Sequence, residues 1–91
     1  MLNISIISPD EEIFTGEGSG IQLPGTEGLF EIRTDHAPLI STLGTGNILV
    51  RSEGGEKTFN VEGGVVEVLK NKVIVLVEKL LSSGNEAIVT E

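Results

Sequence analysis

Residues 65–77 read VVEVLKNKVIVLV, two aliphatic runs separated by Lys70-Asn71-Lys72. Valine and isoleucine favour the pleated, half-buried surface of a β-strand, and a short polar break of this kind suits a tight hairpin. The stretch therefore predicts two strands, over residues 65–69 and 73–77. Because both runs are apolar on both faces, we expect this hairpin to lie at the centre of the core.

Turn signals divide the rest of the chain at short intervals, and between them apolar and polar residues alternate as in half-buried strands. The signals are Gly16-Glu17-Gly18, Pro24-Gly25, Gly44-Thr45-Gly46, Gly54-Gly55 and Gly63-Gly64. Counting the segments gives about ten short antiparallel strands, too many for one twisted sheet of this size. The predicted fold class is all-β, a flattened two-layer β-sandwich.

Composition allows one domain, and it excludes some partners. A chain of 91 residues without cysteine has neither disulfides nor a thiolate metal site, so packing must stabilise it. A net charge of −8 with six scattered Lys and Arg residues argues against nucleic acid as a partner. No apolar run approaches the roughly 20 residues that cross a bilayer, so direct membrane insertion is not expected.

The N-terminus, Met1-Leu2-Asn3-Ile4, lacks the charged start of a signal or transit peptide. We therefore expect the mature protein to begin here and to work in a bacterial cytoplasm.

No catalytic residue, metal site or cofactor is predicted. His36 is the single histidine, and no cysteine or nucleophile-elbow serine accompanies it. We expect its ring to hydrogen-bond the corner before Pro38, to contact a partner, or both. The carboxylates of residues 10–12 lack the oxygen spacing of a calcium loop.

Two further segments are predicted from backbone constraints. Pro38 cannot donate a hydrogen bond to a sheet, so residues 35–38 are expected to cross between the sheets. Residues 16–20, Gly-Glu-Gly-Ser-Gly, superficially resemble a phosphate-binding loop, but neither Lys-Ser/Thr nor a helix-forming segment follows them. They are predicted to form a hairpin bend or a bulge.

Lys72 supports an alternative function. Small acidic β-sandwiches that carry lipoyl or biotinyl groups present a lysine at a hairpin tip, and Lys72 lies near such a tip here. Against this reading, the carriers' Asp-Lys-Ala or Met-Lys-Met signature is missing, and Asn71-Lys72-Val73 stands in its place. A swinging-arm carrier or ligand-binding domain is the second hypothesis.

The C-terminal residues predict little structure. Lys79-Leu80-Leu81 could form one helical turn, which residues 82–85 would break, and residues 87–89 could add a strand. The expected organisation is a β-sandwich domain over 1–78 and a short tail over 79–91.

Residues 23–43 read LPGTEGLFEIRTDHAPLISTL, and this window resembles the N-terminal domain of the epsilon subunit of F-type ATP synthase (the counterpart of mitochondrial delta). That family carries Leu-Pro-Gly-x-x-Gly, a strand, and then His-Ala-Pro-Leu. Ser8-Pro9 followed by Phe14-Thr15-Gly16 is similar to its opening hairpin, and residues 63–68 are similar to its Gly-Gly-x-x-Glu-Val strand. The resemblance covers about residues 2–78.

The resemblance implies a non-catalytic subunit of the rotor's central stalk, peripheral to the cytoplasmic side of the bacterial inner membrane. The implied partners are the gamma subunit, the c-ring and, indirectly, the alpha/beta hexamer. Carried over residue by residue, the implied c-ring contact comprises Thr26, Glu27, Gly28, Leu29 and Phe30. The implied gamma contact comprises Ser8, His36, Ala37, Pro38, Leu39 and Ser41.

The chain departs from the family's pattern in three places. Thr34-Asp35 replaces the usual Pro-Gly, although aspartate also tolerates a left-handed backbone. Leu29 and Glu31 stand where the family often has a polar or acidic residue and a glycine. Many family members continue into a C-terminal helical hairpin that inhibits ATP hydrolysis and, in some species, binds ATP. With about a dozen residues after the last clear strand, neither property is expected here.

Overall fold

The computed structural model describes residues 1–85, which form eight β-strands and no helix. In chain order the strands are β1 (Leu2–Ile7), β2 (Glu12–Gly18), β3 (Gly20–Gly25), β4 (Gly28–Arg33), β5 (Leu39–Leu43), β6 (Gly46–Ser52), β7 (Gly55–Leu69) and β8 (Lys72–Asn85).

The strands form one continuous sheet that folds into two layers. In the first layer the order is β2-β1-β8-β7-β5, with the N-terminal half of β8 beside the C-terminal half of β7. In the second layer it is β4-β3-β6-β7-β8, with the other halves of the same two strands. The predicted all-β sandwich is confirmed. The β1–β8 pair is parallel, so the prediction of a wholly antiparallel sheet is wrong. The alternation of apolar and polar residues along a strand does not show whether the neighbouring strand runs parallel or antiparallel to it.

The hairpin β7–β8 is longer than predicted because Gly63 and Gly64 bend a strand instead of ending it. Gly63 has φ 59° and Gly64 has φ 144°, and β7 continues through both. A Cβ at Gly64 would lie 2.3 Å from the carbonyl oxygen of Leu76. The two glycines thus let one strand pass from layer to layer, and the separate strands expected on either side of them are one. Residues 1–85 form eight strands instead of the roughly ten predicted for the whole chain.

The turn of this hairpin consists of Lys70 and Asn71, with φ 52° and 63°. These values suit the two-residue turn that matches strand twist, so the predicted tight hairpin is confirmed. Lys72 pairs with Leu69 as the first residue of β8, so it is not at the tip, where the carrier hypothesis needs it.

The core lies between the layers and consists almost entirely of aliphatic side chains. Except in β3, where Gly20 and Pro24 are buried too, its fully buried members alternate along their strands with half-buried or exposed residues, as expected for sheets with one buried face. They are Leu2, Ile4, Ile6, Ile21, Leu23, Ile32, Ile48, Val50, Val61, Val66, Val68, Val73 and Val75.

The connections correct one prediction and confirm another. β2 pairs with β1, whereas β3 pairs with β4, β5 and β6, so residues 16–20 form neither a hairpin nor a bulge. Ser19 crosses between the layers, and its backbone N–H donates to the carbonyl of Arg51 at 2.8 Å. Residues 34–38 cross between the layers as predicted, and Asp35 adopts the expected left-handed conformation with φ 66°.

The predicted helical turn at Lys79-Leu80-Leu81 is absent. β8 continues past residue 78 to Asn85, and its C-terminal half pairs with residues 57–61 of β7 after a register shift at Asn60/Val61. Residues 82–84 are polar or small because they lie exposed on an outer strand of the second layer. The strand predicted over 87–89 lies outside the described residues.

Candidate protein-binding surfaces

The outer side of the first layer carries a mainly apolar surface, which we call the apolar face. Ile40, Leu69 and Leu76 are 72%, 50% and 49% exposed, and the rest of the face is half-buried. The registers make its members neighbours, since Leu76 pairs with both Ile7 and Val65. The face consists of Ile7, Ile40, Val65, Leu69, Ile74 and Leu76.

Strand alternation explains why this face forms. Val73 and Val75 point into the core, so Ile74 and Leu76 between them must point outward. The prediction that the hairpin lies at the centre of the core therefore holds for one side only. Its other side faces solvent within the described part of the chain.

Four of the six residues implied for the gamma contact lie at two corners of the apolar face. Ser8 adjoins Ile7 and Leu76 at the end of β1, and its Oγ accepts a hydrogen bond from the N–H of Glu11 at 3.2 Å. His36, Ala37 and Pro38 are exposed in the connection before β5. Two strands, β8 and β7, lie between these corners.

Leu39 and Ser41 do not belong to the outer side. Their register partners, Val68 and Val66, are buried, and Leu39 packs against the core. The resemblance therefore identified the rim of the apolar face but none of its apolar members. Ile40 is the exposed neighbour that lies between Leu39 and Ser41.

A reciprocal pair of hydrogen bonds holds the corner at His36 beside the hairpin turn. The N–H of Asp35 donates to Asn71 Oδ1 at 2.6 Å, and Asn71 Nδ2 donates to Asp35 Oδ1 at 3.1 Å. The ring of His36 hydrogen-bonds the carbonyl of Ala37 through Nδ1 at 2.7 Å. The corner is thus ordered by contacts that leave the outer edge of His36–Pro38 accessible.

The residues implied for the c-ring contact comprise the β3–β4 turn and the start of β4. Gly25 pairs with Gly28, so the turn residues are Thr26 and Glu27, two positions later than the predicted turn. Thr26 is anchored to β5 by its N–H, which donates to the carbonyl of Thr42 at 3.3 Å. Beyond the turn, Leu29 is 67% exposed, whereas Phe30 packs partly against the core. The turn therefore presents an apolar side chain beside an exposed carboxylate.

Glu31, which like Leu29 departs from the family's pattern, takes part in a row of ion pairs on the outer side of the second layer. Its Oε2 lies 2.9 Å from Arg51 Nε and 3.4 Å from Arg33 Nη2, and Arg51 Nη1 lies 2.5 Å from Glu56 Oε2. The hydrogen bond and charge of Glu31 raise the pKa of the Arg51 guanidinium above its ordinary value. Glu31 thus ties β4 to β6 and does not project with the turn.

Residues 1–85 hold no group of three or more His, Cys, Asp or Glu side chains arranged to bind a metal ion. Within the same residues no helix is long and apolar enough to span a membrane.

The sequence matches the β-sandwich domain of the ATP synthase delta/epsilon chain over residues 1–83. It is 40% identical to the ATP synthase epsilon chain of Salinibacter ruber over 86 residues, which cover 85% of this chain and 58% of that one. It is 35% identical to the epsilon chain of Caulobacter vibrioides over 83 residues, covering 91% and 96% of the two chains. The chain thus spans about three fifths of some curated relatives and nearly the whole of another.

The fold matches a chain in the structure of the Euglena gracilis mitochondrial ATP synthase that comprises OSCP, F1 and the c-ring. The TM-score is 0.80 at 18% identity, with 98% of this chain and 56% of that chain covered. The predicted resemblance is confirmed, and with it the prediction of a subunit that is not itself the enzyme. The chain belongs to the ATP synthase delta/epsilon chain family through the β-sandwich domain that its residues 1–83 form.

Proposed function

We propose that this chain is a structural coupling subunit of the central stalk of a proton-translocating ATP synthase, where it links the gamma subunit to the c-ring during ATP synthesis. In this proposal it meets the alpha/beta hexamer only indirectly and stays peripheral, at the cytoplasmic side of a bacterial inner membrane. The observation that carries the proposal is the apolar face, a surface suited to bind another protein.

The apolar face supports the gamma contact. Soluble proteins expose single apolar residues freely, but a contiguous apolar patch generally marks a protein-binding site. Here six aliphatic side chains share the outer side of three paired strands and the end of β1, and Ile40 exposes nearly three quarters of its surface. At its rim the segment His36–Pro38 is exposed, whereas Ser8 is buried. An accessible segment of this kind beside apolar side chains suits the rim of an interface.

The β3–β4 turn supports the c-ring contact. It is a separate exposed element, and Thr26 is fixed to Thr42 by a backbone hydrogen bond and by a contact between their hydroxyls at 3.1 Å. Leu29 and Glu27 can therefore be presented in a fixed position. A close-packed two-layer core is poorly compressible, so a load applied at the turn would reach the apolar face with little deformation.

Replacing Ile40 by aspartate tests the gamma contact. We expect Ile40→Asp to weaken binding of the full chain to purified gamma subunit by at least about 100-fold, because a desolvated carboxylate would oppose the apolar partner surface. Titration calorimetry measures the affinity. Ile40 is largely exposed, so the variant should fold.

Leu81→Asp is the matched control, since Leu81 is 46% exposed and lies outside the apolar face. It should bind gamma like the unmodified chain. Equal binding by the Ile40 and Leu81 variants would show that the apolar face is not the gamma site.

Reversing the charge of Glu27 tests the c-ring contact. Glu27 is exposed at the turn, and a carboxylate there would form a charge-assisted contact with basic c-ring loops. We expect Glu27→Lys to lower ATP-driven proton pumping by the assembled complex in membrane vesicles several-fold. Glu53→Lys, which reverses an exposed turn carboxylate between β6 and β7, should pump normally. Unchanged pumping by Glu27→Lys would contradict this contact.

A further inference from the structure

Glu67 occupies the centre of the apolar face. Its register partners are Ile40 on β5 and Ile74 on β8. Along β7 its neighbours on the same side are Val65 and Leu69, two residues away in each direction. One carboxylate is therefore surrounded by four aliphatic side chains.

Within the described residues this carboxylate has no internal partner. Within residues 1–85 Glu67 forms no ion pair and no side-chain hydrogen bond. Arg33 and Arg51 both pair with other carboxylates. Lys70 and Lys72 line a shallow depression together with Glu67, and neither forms an ion pair with it. Glu67 is exposed, so water solvates its charge in the free chain.

A partner bound over the apolar face would change the solvation of Glu67. A partner that seals the four aliphatic side chains also removes water from Glu67, and an unpaired charge in such a place opposes binding strongly. A cation on the partner turns the same position into a charge-assisted contact. A second copy of this chain, stacked by its own apolar face, would instead bring two carboxylates together.

We propose that Glu67 determines which protein the apolar face accepts, by requiring a partner whose apolar surface carries an arginine or lysine at the position opposite it. This inference rests on the proposed function, in which that partner is the gamma subunit. The aliphatic members supply most of the contact area, and Glu67 supplies selectivity against apolar surfaces without a cation, including a second copy of the chain.

The test compares Glu67→Gln and Glu67→Lys with the unmodified chain in binding to purified gamma subunit at low and high salt. We expect Glu67→Gln to weaken binding by about 30-fold or more at low salt, and to reduce the salt dependence of the affinity, because the charge pair is lost. Glu67→Lys should weaken binding further. Glu62→Gln, at an exposed position of the same strand, should leave both readouts unchanged.

The outcomes separate this inference from the proposed function. If Ile40→Asp abolishes binding but Glu67→Gln binds as well as or better than the unmodified chain, the apolar face is the gamma site and the role of Glu67 is refuted. If neither variant affects binding, gamma does not bind this face and both are refuted.

Discussion

Replacing Gly64 with alanine is expected to destabilise the fold by at least about 3 kcal/mol, a large share of the roughly 5–15 kcal/mol that stabilises a small domain. Gly64 has φ 144°, a conformation that residues with a Cβ rarely adopt. The added Cβ would also lie 2.3 Å from the carbonyl oxygen and 2.9 Å from the Cα of the paired strand at Leu76 and Val77. The obstructing atoms are backbone, so relief requires the two longest strands to separate.

Urea denaturation measures this effect. The midpoint should fall for Gly64→Ala, or the variant should be unfolded in buffer, whereas the slope should stay near that of the unmodified chain wherever a folded baseline exists. Gly84→Ala is the control, since Gly84 lies in β8 with open space where its Cβ would be. It should change the free energy of unfolding by less than about 1 kcal/mol. Similar midpoints for the two variants would contradict the bend assigned to Gly64.

Gly63-Gly64 also shows what the sequence could not determine about the fold. Paired glycines between two apolar runs are typical of a turn, and a strand that bends through positive φ has the same local composition. Only the contact of Gly64 with Leu76 distinguishes the two, and that contact depends on the register of a strand that follows later in the chain. The class of the fold and the turn at Lys70-Asn71 needed no such long-range information, so both were predicted correctly.

For a related reason, the sequence predicted residues at the edge of the candidate site but not its aliphatic members. The resemblance named residues with distinctive types, such as His36 and Pro38, and these lie at the rim of the apolar face. The aliphatic members, Ile74 and Leu76 among them, were visible as a run apolar on both sides. Such a run is compatible with burial on both sides within one chain or with burial by a partner, and the sequence does not say which chain covers it.

Aspartate at Val75 should therefore destabilise the fold, whereas aspartate at Leu76 should mainly weaken binding, although the two residues are adjacent in β8. Val75 is fully buried between the layers, and Val75→Asp would bring an unpaired carboxylate into an aliphatic core. We expect it to cost more than about 4 kcal/mol and to leave the domain largely unfolded. Leu76 is 49% exposed on the apolar face, so Leu76→Asp should cost about 1 kcal/mol, mainly through the poor strand preference of aspartate.

The same pair separates stability from binding. Circular dichroism in urea should show a folded Leu76→Asp chain whose midpoint falls by no more than about 1 M, while its affinity for gamma falls as it does for Ile40→Asp. A folded Leu76→Asp chain that still binds gamma would place Leu76 outside the interface. Unfolding by Leu76→Asp as complete as that by Val75→Asp would mean that this side of the hairpin is part of the core. The outcome decides whether the second apolar side of residues 65–77 serves the fold or a partner, because one substitution on each side probes each role separately.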